Sequence, residues 1–341
     1  MKRTTLKQIA EQSGTSIAAA SLAMRNSPKI KRQTGNRIRS IAKKLNYHPC
    51  HIGRSLVLGK TYFVGITIPS YIEPICTDLT EFLQAELRKH GYLGIVINAN
   101  TPELMQESIH RFLSLKVDGI ISTSLFPENA HTLLRENVPF VLTANPLSAP
   151  GPSVTINKHL AITLAMEHVI ALGHRTIGYI GNTTKTELKY TVYREILERS
   201  GLRFEESWVF NGLGFPETGI RGIHHILALP EQPSAIICFN DVVAIGAVSA
   251  LLHAGVRVPD EMSVIGFDGI RAGETYYPAI TTLRHPIQEQ ARLVVETLLD
   301  QIARPTAVAP HIILDPELVI RESCGKAEER RKGKNEGQKS E

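Results

Sequence analysis

The chain has 341 residues, of which 43% are hydrophobic and 21% are charged. At roughly 100–200 residues per domain, this length fits two or three folding units with their own cores. No apolar run approaches the roughly 20 residues that a membrane-spanning helix needs, which excludes a membrane protein. The N-terminus has no apolar signal core, and the four cysteines show no CxxC spacing. These features predict a reduced, cytoplasmic protein.

The positive charge is concentrated at one end of the chain. Residues 1–60 contain 13 Lys and Arg against one acid, Glu11, a net charge of +12 that leaves −7 for residues 61–341 of the total of +5. A basic segment on an acidic body indicates a polyanionic partner. A solvated basic helix surface without a partner is the alternative reading of the charge alone.

Three helices are predicted in this basic segment. Thr5 and Gln8 form a capping-box pattern, and Gly14 permits a tight turn. Ser16 is a good N-cap for a second helix that runs through Met24. A third helix is indicated by apolar residues at helical spacing around Thr34, Ile38, Ile41, Ala42 and Leu45. Short helices joined by a glycine-containing turn are the layout of a helix-turn-helix DNA reader.

From Tyr62 onward, β-branched runs alternate with helical stretches. This rhythm predicts parallel sheets covered by helices, and the length is enough for two such sheets. The final stretch, 325–341, is polar and almost without apolar residues, so we expect it to be disordered.

The motifs TLKQIAEQSG, NSPKI and LNYHP, followed by IPSYIEP, GHRTIGYIG and FNDVVAIGA, resemble the lactose-repressor (LacI/GalR) family of bacterial transcription regulators. The resemblance implies a small all-α helix-turn-helix headpiece and an α/β two-lobed periplasmic-binding-protein-like body, with a ligand cleft where the lobes meet. The chain would cross between the lobes three times. The implied segments are a headpiece at 1–48, a hinge at 49–60, an effector-binding and dimerisation body at 61–324 and a disordered tail at 325–341.

The second helix is expected to lie in the major groove with Ile17, Ala18 and Leu22 outward. Many relatives carry polar side chains at these positions, which read bases through hydrogen bonds. Apolar side chains can read bases directly only by contact with thymine methyl groups. Ile17 and Leu22 could instead belong to the core. The positions that match backbone-phosphate contacts in the family, and that also suit helix capping, are Ser16, Ser21, Asn26, Thr34 and Tyr47.

The segment PCHIGRSLVLGK resembles the family's hinge, which becomes helical when two copies meet on DNA. Leu56 matches the leucine that wedges between central base pairs in the minor groove, and Arg54 matches its basic neighbour. Packing of Leu56 on the body is the alternative.

Five residues of the body are predicted to contact an effector. Asp268 and Asn240 match family residues that bind effector hydroxyl groups, at the strand ends where α/β folds place ligands. Lys189 stands where relatives usually carry an arginine, and its point charge replaces a planar fork. Tyr71 and Ile75 would form walls of the N-terminal lobe.

Enzyme motifs such as GxGxxG, HExxH and GxSxG are absent, and the pair His224–His225 points apart on a helix, so we expect no catalysis, cofactor or metal site. The predicted function is a homodimeric, sequence-specific repressor of carbohydrate-related genes that binds operator DNA and a sugar or sugar derivative. A regulator without effector response, a solute-binding protein and a sugar-processing enzyme are the alternatives. The basic headpiece disfavours the second, and the missing motifs disfavour the third.

Overall fold

A computed structural model of the protein describes residues 4–47, 59–123, 127–143, 151–184, 187–305 and 310–327. The chain divides into two compact units, a headpiece unit and a body unit. The headpiece unit is Met1–Phe63 with Lys116–Asp118, and the body unit is Val64–Leu115 with Gly119–Glu341. Residues 48–58, which include most of the predicted hinge at 49–60, lie outside the described residues.

The headpiece unit contains the three predicted helices, α1 (Leu6–Ser13), α2 (Ile17–Met24) and α3 (Arg32–Lys44). The capping box at the start of α1 is formed, and Gly14 ends the helix at φ +61°. A small core closes the unit, built from Ile9, Ala10, Ala20, Ala23, Ile38 and Ala42. Alanines at the contacts let the short helices approach closely, which a unit of this size requires.

The body unit has two six-stranded sheets. The first has the order β11-β5-β4-β3-β1-β2 and the second β12-β10-β9-β8-β6-β7. The strands are β1 (Phe63–Ile68), β2 (Leu93–Asn98), β3 (Gly119–Ser122), β4 (Phe140–Leu142), β5 (Ser153–Ile156), β6 (Ile177–Gly181), β7 (Val209–Asn211), β8 (Ala235–Cys238), β9 (Ser263–Asp268), β10 (Thr281–Arg284), β11 (His311–Leu314) and β12 (Glu317–Val319). Strands β6 to β10 pair in parallel, and β12 runs antiparallel to β10.

Helices cover the sheets, as the alternating pattern predicts. They are α4 (Pro74–Lys89), α5 (Pro102–Ser114), α6 (Pro127–Arg135), α7 (Lys158–Ala171), α8 (Leu188–Arg199), α9 (Pro216–Leu227), α10 (Asp241–His253), α11 (Arg271–Thr275) and α12 (Ile287–Ala303). Helix α7 follows a strand of the first sheet and packs on the second, whereas α12 follows a strand of the second and packs on the first.

The two sheets are the cores of two lobes, and the chain passes between the lobes three times. The crossings lie after β5, between β10 and α12, and between β11 and β12. The predicted two-lobed α/β architecture with three crossings is therefore confirmed. Because the crossings are short, they hold the facing strand ends of the lobes close together, and these are the ends where parallel sheets place ligands.

The first residues of the predicted disordered tail, 325–327, are hydrogen-bonded to the body. The Gly325 amide donates to Ser263 Oγ at 3.0 Å, and His174 Nε2 donates to the Gly325 carbonyl at 3.1 Å. The Ala327 amide donates to the Leu172 carbonyl at 2.9 Å. Residues 325–327 thus belong to the body through backbone hydrogen bonds, which a polar, patternless sequence does not reveal. Residues 328–341 lie outside the described residues.

Helices α9 and α10 pack at backbone distance, which makes their glycines sensitive positions. A Cβ at Gly246 would lie 2.1 Å from the Pro216 carbonyl oxygen. Gly246→Ala is therefore expected to lower the free energy of unfolding of the body by about 1–3 kcal/mol, measured by urea denaturation. Ser249→Ala, on the same helix, is the control and should be close to neutral. An unchanged urea midpoint for Gly246→Ala would contradict the close packing.

Candidate DNA-binding and effector-binding sites

Helix α2 presents an apolar surface to solvent. Ser16 caps the helix by accepting a hydrogen bond from the Ala19 amide at 3.1 Å. Ile17 is 51% exposed and Ala18 is also exposed, whereas Leu22 is half-buried. The exposed face therefore includes two of the three predicted base readers, and Leu22 lies at its border. An exposed isoleucine on a short polar-capped helix has no partner in the headpiece core, as expected for a contact surface.

Arg39 on α3 holds the end of α2, a role that the sequence did not suggest. Its guanidinium donates to the Ala23 carbonyl at 3.0 Å, to Asn26 Oδ1 at 2.9 Å and to Asn36 Oδ1 at 2.7 Å. Asn26 adopts φ +52°, a left-handed conformation that asparagine tolerates. The bridge fixes the C-terminal end of α2 against α3, and it leaves the Asn26 amide group available for a phosphate.

The other predicted phosphate contacts are distributed over the headpiece surface. Ser21 and Thr34 are half-exposed, and Tyr47 packs against the headpiece core. Arg54 and Leu56 lie outside the described residues. The described headpiece helices and turns also carry basic side chains that composition located but could not position, namely Lys7, Arg25, Lys29, Lys31, Arg32, Arg37, Lys43 and Lys44. The unit therefore combines an apolar helix face with a dense positive charge.

An interlobe cavity of about 440 Å³ lies in the body unit beside the second and third crossings. Helix α4 forms the wall from the first lobe, with Ile75, Asp78 and Phe82 on one face at helical spacing. The turn after β9 and the second crossing form the opposite wall, with Asp268 and His285. Two of the predicted effector residues, Ile75 and Asp268, thus line one cavity.

Asp268 ends β9 in an unusual conformation. Its φ is +107°, and the next residue, Gly269, has φ +76°. A Cβ on Gly269 would lie 2.7 Å from Arg284 Cβ, so this turn requires glycine. Asp268 is only 8% exposed, and its carboxylate accepts no hydrogen bond from the residues that the structure describes. The Asp268 oxygens are not among the fully enclosed, unsatisfied polar atoms of the described residues, and the residue lines the cavity. A largely buried carboxylate at a positive φ beside a cavity is typical of a ligand-binding group.

Asp241 holds this turn in place. It is fully buried at the start of α10, and its Oδ2 accepts hydrogen bonds from the Gly269 and Ile270 amides, both at 2.8 Å. Its Oδ1 accepts from Thr282 Oγ1 at 2.6 Å. Burial, together with the charge of Asp268, raises the pKa of Asp241 to about 7 against the three hydrogen bonds that lower it. Asp241 was not among the predicted site residues, which included its neighbour Asn240, although an acid directly after a strand-end asparagine was a visible signal in the sequence.

Lys189 and Asn240 are engaged by the protein itself. Lys189 Nζ donates to the Phe239 carbonyl at 2.6 Å and lies 4.5 and 4.6 Å from the ring centres of Phe239 and Phe267. Asn240 caps α10 by accepting from the Val243 amide at 2.9 Å, and its amide group donates to the Gly214 carbonyl at 3.1 Å. Both residues therefore brace the strand ends around the cavity, and neither is among the residues lining it.

Burial and the neighbouring positive charges have opposite effects on the pKa of Asp268. Burial raises the pKa of Asp268 to about 6, and the positive charges of Lys189 and Lys158 lower it. Burial and the same two lysines lower the pKa of His285 to about 3, so this imidazole is neutral at physiological pH. His285 Nδ1 lies 3.9 Å from Asp268 Oδ1, beyond hydrogen-bond distance.

Tyr71, which was predicted to form a wall of the effector site, is not among the residues that line the cavity. Its ring is largely exposed, and its hydroxyl donates weakly to the Val96 carbonyl at 3.4 Å.

Two models of known protein families match parts of this chain. The model described as bacterial regulatory proteins, lacI family, matches residues 5–50, and the periplasmic binding protein-like domain matches residues 166–324. The HTH-type transcriptional repressor PurR of Haemophilus influenzae (strain PittEE) is 30% identical over 329 residues, covering 94% of this chain and 98% of that protein. The chain belongs to the LacI family.

Further relatives support the assignment. The HTH-type transcriptional repressor CytR of Escherichia coli (strain K12) is 28% identical, over 94% of this chain and 96% of its own length. A structure of the Lac repressor dimer bound to operator and the anti-inducer ONPF superposes with a TM-score of 0.87 at 22% identity, covering 95% of this chain and 100% of that one. The LacI-family protein is therefore a DNA-binding transcriptional regulator with a helix-turn-helix headpiece and a periplasmic-binding-protein-like body.

Within the residues that the structure describes, the helices are all too short or too polar to cross a bilayer. Over the same part of the chain, His, Cys, Asp and Glu side chains form no group of three that could hold a metal ion. His224 and His225 lie on α9, where adjacent side chains diverge, as predicted.

Substitution of aspartate by asparagine is expected to have opposite effects on stability at Asp268 and at Asp241. A raised pKa means that folding binds a proton, so the stability from protonated Asp268 is complete below the unfolded pKa near 4 and is lost as pH rises through about 6. Above pH 7, Asp268→Asn should therefore raise the free energy of unfolding by about 1–3 kcal/mol, and the gain should vanish toward pH 4. Asp241→Asn should lower it by about 1–3 kcal/mol, although the pKa of Asp241 is also raised, because asparagine cannot accept all three hydrogen bonds and their loss outweighs the removal of a buried charge.

The measurement is urea denaturation of both variants and wild type across this pH range. Asp241→Asn serves as the matched control, because it removes a buried carboxylate that has partners. Destabilisation of the ligand-free protein by Asp268→Asn at every pH would show that the Asp268 carboxylate is a structural group.

Proposed function

We propose that this LacI-family regulator is a homodimeric repressor that reads a pseudo-palindromic operator through the exposed face of α2. The observation that carries the proposal is that Ile17 and Ala18 are exposed in the unit that contains the basic segment 1–60, whose net charge is +12 against −7 for residues 61–341. The names of the PurR and CytR relatives support repression, and the operator-bound Lac repressor dimer supports dimeric binding by this fold. Residues 1–48 supply DNA affinity, and Arg54 and Leu56 act at the minor groove between the two half-sites.

We further propose that a small hydroxylated molecule, a sugar or sugar derivative, binds between the lobes and changes operator affinity. The unpartnered carboxylate of Asp268 in the interlobe cavity supports this role, with Ile75 on the facing wall. The proposal is supported by the regulator CelR, which is similar in fold with a TM-score of 0.71 at 22% identity and whose structure is a cellobiose complex. A ligand shifts the operator equilibrium only by its differential affinity for two body conformations, about 1–3 kcal/mol in typical cases.

A regulator without effector response is the second candidate. It is favoured by the engagement of Lys189 with the Phe239 carbonyl and of Asn240 with α10 and Gly214, since both were predicted to hold the effector. The two candidates differ in one measurement. If no metabolite that stabilises the protein changes its affinity for the selected operator, the second candidate is supported.

DNA affinity is expected to come from residues 1–60 and to depend steeply on salt. Each phosphate that the headpiece neutralises should add about −0.9 to the slope of log affinity against log salt concentration. Binding of the full-length protein and of a chain beginning at Lys60 to the selected operator should be compared by fluorescence anisotropy over a salt series. Equal affinity of the two proteins would place the DNA-binding surface in the body.

The apolar face of α2 predicts the sequence that is read. Sites selected from random duplexes should favour T·A pairs opposite Ile17, Ala18 and Leu22, because methyl contact is their only direct readout. Leu22→Arg should add a guanine preference of about 1–3 kcal/mol at its base pair, whereas Leu22→Met, which stays apolar, should not. Wild-type sites with guanine at these pairs would show that other side chains do the reading.

A further inference from the structure

The wall that α4 presents to the interlobe cavity carries acids and no base. Asp78 and Glu81 line the cavity on the same helix face as Ile75 and Phe82. Residues 71–87 contain no Lys or Arg at all. A ligand in the cavity therefore meets, from the first lobe, two carboxylates set between apolar side chains.

The opposite wall adds further negative charge. Asp268 and Asp315 line it from the turn after β9 and from the third crossing. The Asp315 carboxylate accepts one hydrogen bond, from Asn157 Nδ2 at 2.9 Å, and the Asp268 carboxylate accepts none from described residues. His285 beside it is neutral, because burial lowers its pKa to about 3. The second wall thus offers acceptors and an uncharged ring.

The bases that line the cavity do not balance these acids. Arg284 forms an ion pair with Glu317 at 3.0 Å, and Glu289 is paired with Arg292 at 2.6 Å. Among the described lining residues, Arg271 is then the remaining cation, against Asp78, Glu81, Asp268 and Asp315. Lys189 and Lys158 both lower the negative potential at Asp268, but neither lines the cavity. The Lys189 ammonium group donates to the Phe239 carbonyl. The lining therefore has a clear excess of negative charge.

We propose that the effector is an organic cation, a small molecule with an ammonium or guanidinium group that donates to Asp268 while its carbon skeleton packs on Ile75 and Phe82. The inference rests on the proposed effector site and specifies its ligand class. The Asp268 carboxylate accepts no hydrogen bond from the described residues, and an ammonium or guanidinium group would supply a charge-assisted donor. Carboxylates on facing lobes also repel one another on closure unless a positive charge lies between them.

An amino sugar satisfies both this proposal and the predicted hydroxylated ligand, and it provides a matched probe. Glucosamine and glucose differ by one ammonium group in place of a hydroxyl, and putrescine and 1,4-butanediol form a second pair without a sugar ring. Thermal unfolding of the full-length protein should be followed with each probe at neutral pH, with sodium chloride added to equalise ionic strength. At least one ammonium probe should raise Tm, and its neutral counterpart should not.

Variants then assign the binding to the cavity. Asp268→Asn should weaken binding of the active probe by about tenfold or more, and Asp78→Asn should weaken it by a smaller factor because that side chain is partly solvated. Glu296→Gln, an acid of α12 outside the cavity, is the control and should leave affinity unchanged. Far-ultraviolet circular dichroism confirms that each variant is folded.

Three outcomes would overturn the proposal. They are equal stabilisation by the neutral probes, stabilisation by magnesium chloride that depends on Asp268, and absence of any shift with both ammonium probes. In the first case a neutral sugar is the ligand, and the proposed regulator stands if that sugar changes operator affinity. If the protein did not bind the operator even in the absence of a probe, the proposed function would be contradicted. The preference for ammonium over neutral probes could still be measured by thermal unfolding.

Discussion

The buried carboxylate of Asp241 is the interaction on which the body site depends. Three hydrogen bonds from one side chain connect the start of α10, the turn after β9 and strand β10. They hold Asp268 and Gly269 at positive φ, a conformation that the backbone would not keep unaided at Asp268. The turn in turn decides which groups face the cavity. A carboxylate that accepts hydrogen bonds thus maintains a second carboxylate that has none, and the energetic cost of the second is tolerated because the first is satisfied.

Placement of this cavity beside the crossings links ligand binding to the arrangement of the lobes. The second crossing contributes His285, and the third contributes Asp315, so the segments that join the lobes are also lining segments. A ligand that satisfies groups on both walls stabilises one lobe arrangement over others by the difference in its contacts. Because the negative charges face one another across the cavity, that difference depends on the charge of the ligand. Shape alone would not give the same discrimination between a sugar and its amino derivative.

Periodicity, caps and length were sufficient to predict the headpiece helices and two parallel sheets, because each element is locally encoded, whereas the two lobes and their three crossings were implied by the family resemblance. Ser16 and Gly14 define the ends of α2 and α1, and the alternating β-branched and helical segments define both sheets. The site was predicted only in part. Asp268 and Ile75 were identified and line the cavity, whereas the engagement of Lys189 by the Phe239 carbonyl depends on a contact fifty residues away in sequence. Such pairings are tertiary, as are the Arg39 bridge and the backbone bonds of residues 325–327, and no local pattern encodes them.

The headpiece unit is basic and the cavity of the body unit is acidic, so DNA and a cationic ligand are attracted to different parts of the molecule. The headpiece unit is strongly basic and its charges are solvated, so its affinity for phosphates falls steeply with salt. The cavity is acidic and partly open to solvent, so salt also weakens its attraction for a cation. A cation in the cavity acts on DNA binding through the body conformation, by the difference in its contacts between two lobe arrangements. Free cations also compete with the headpiece for DNA phosphates, so the effect of the cavity is the part of the change in operator affinity that Asp268→Asn removes.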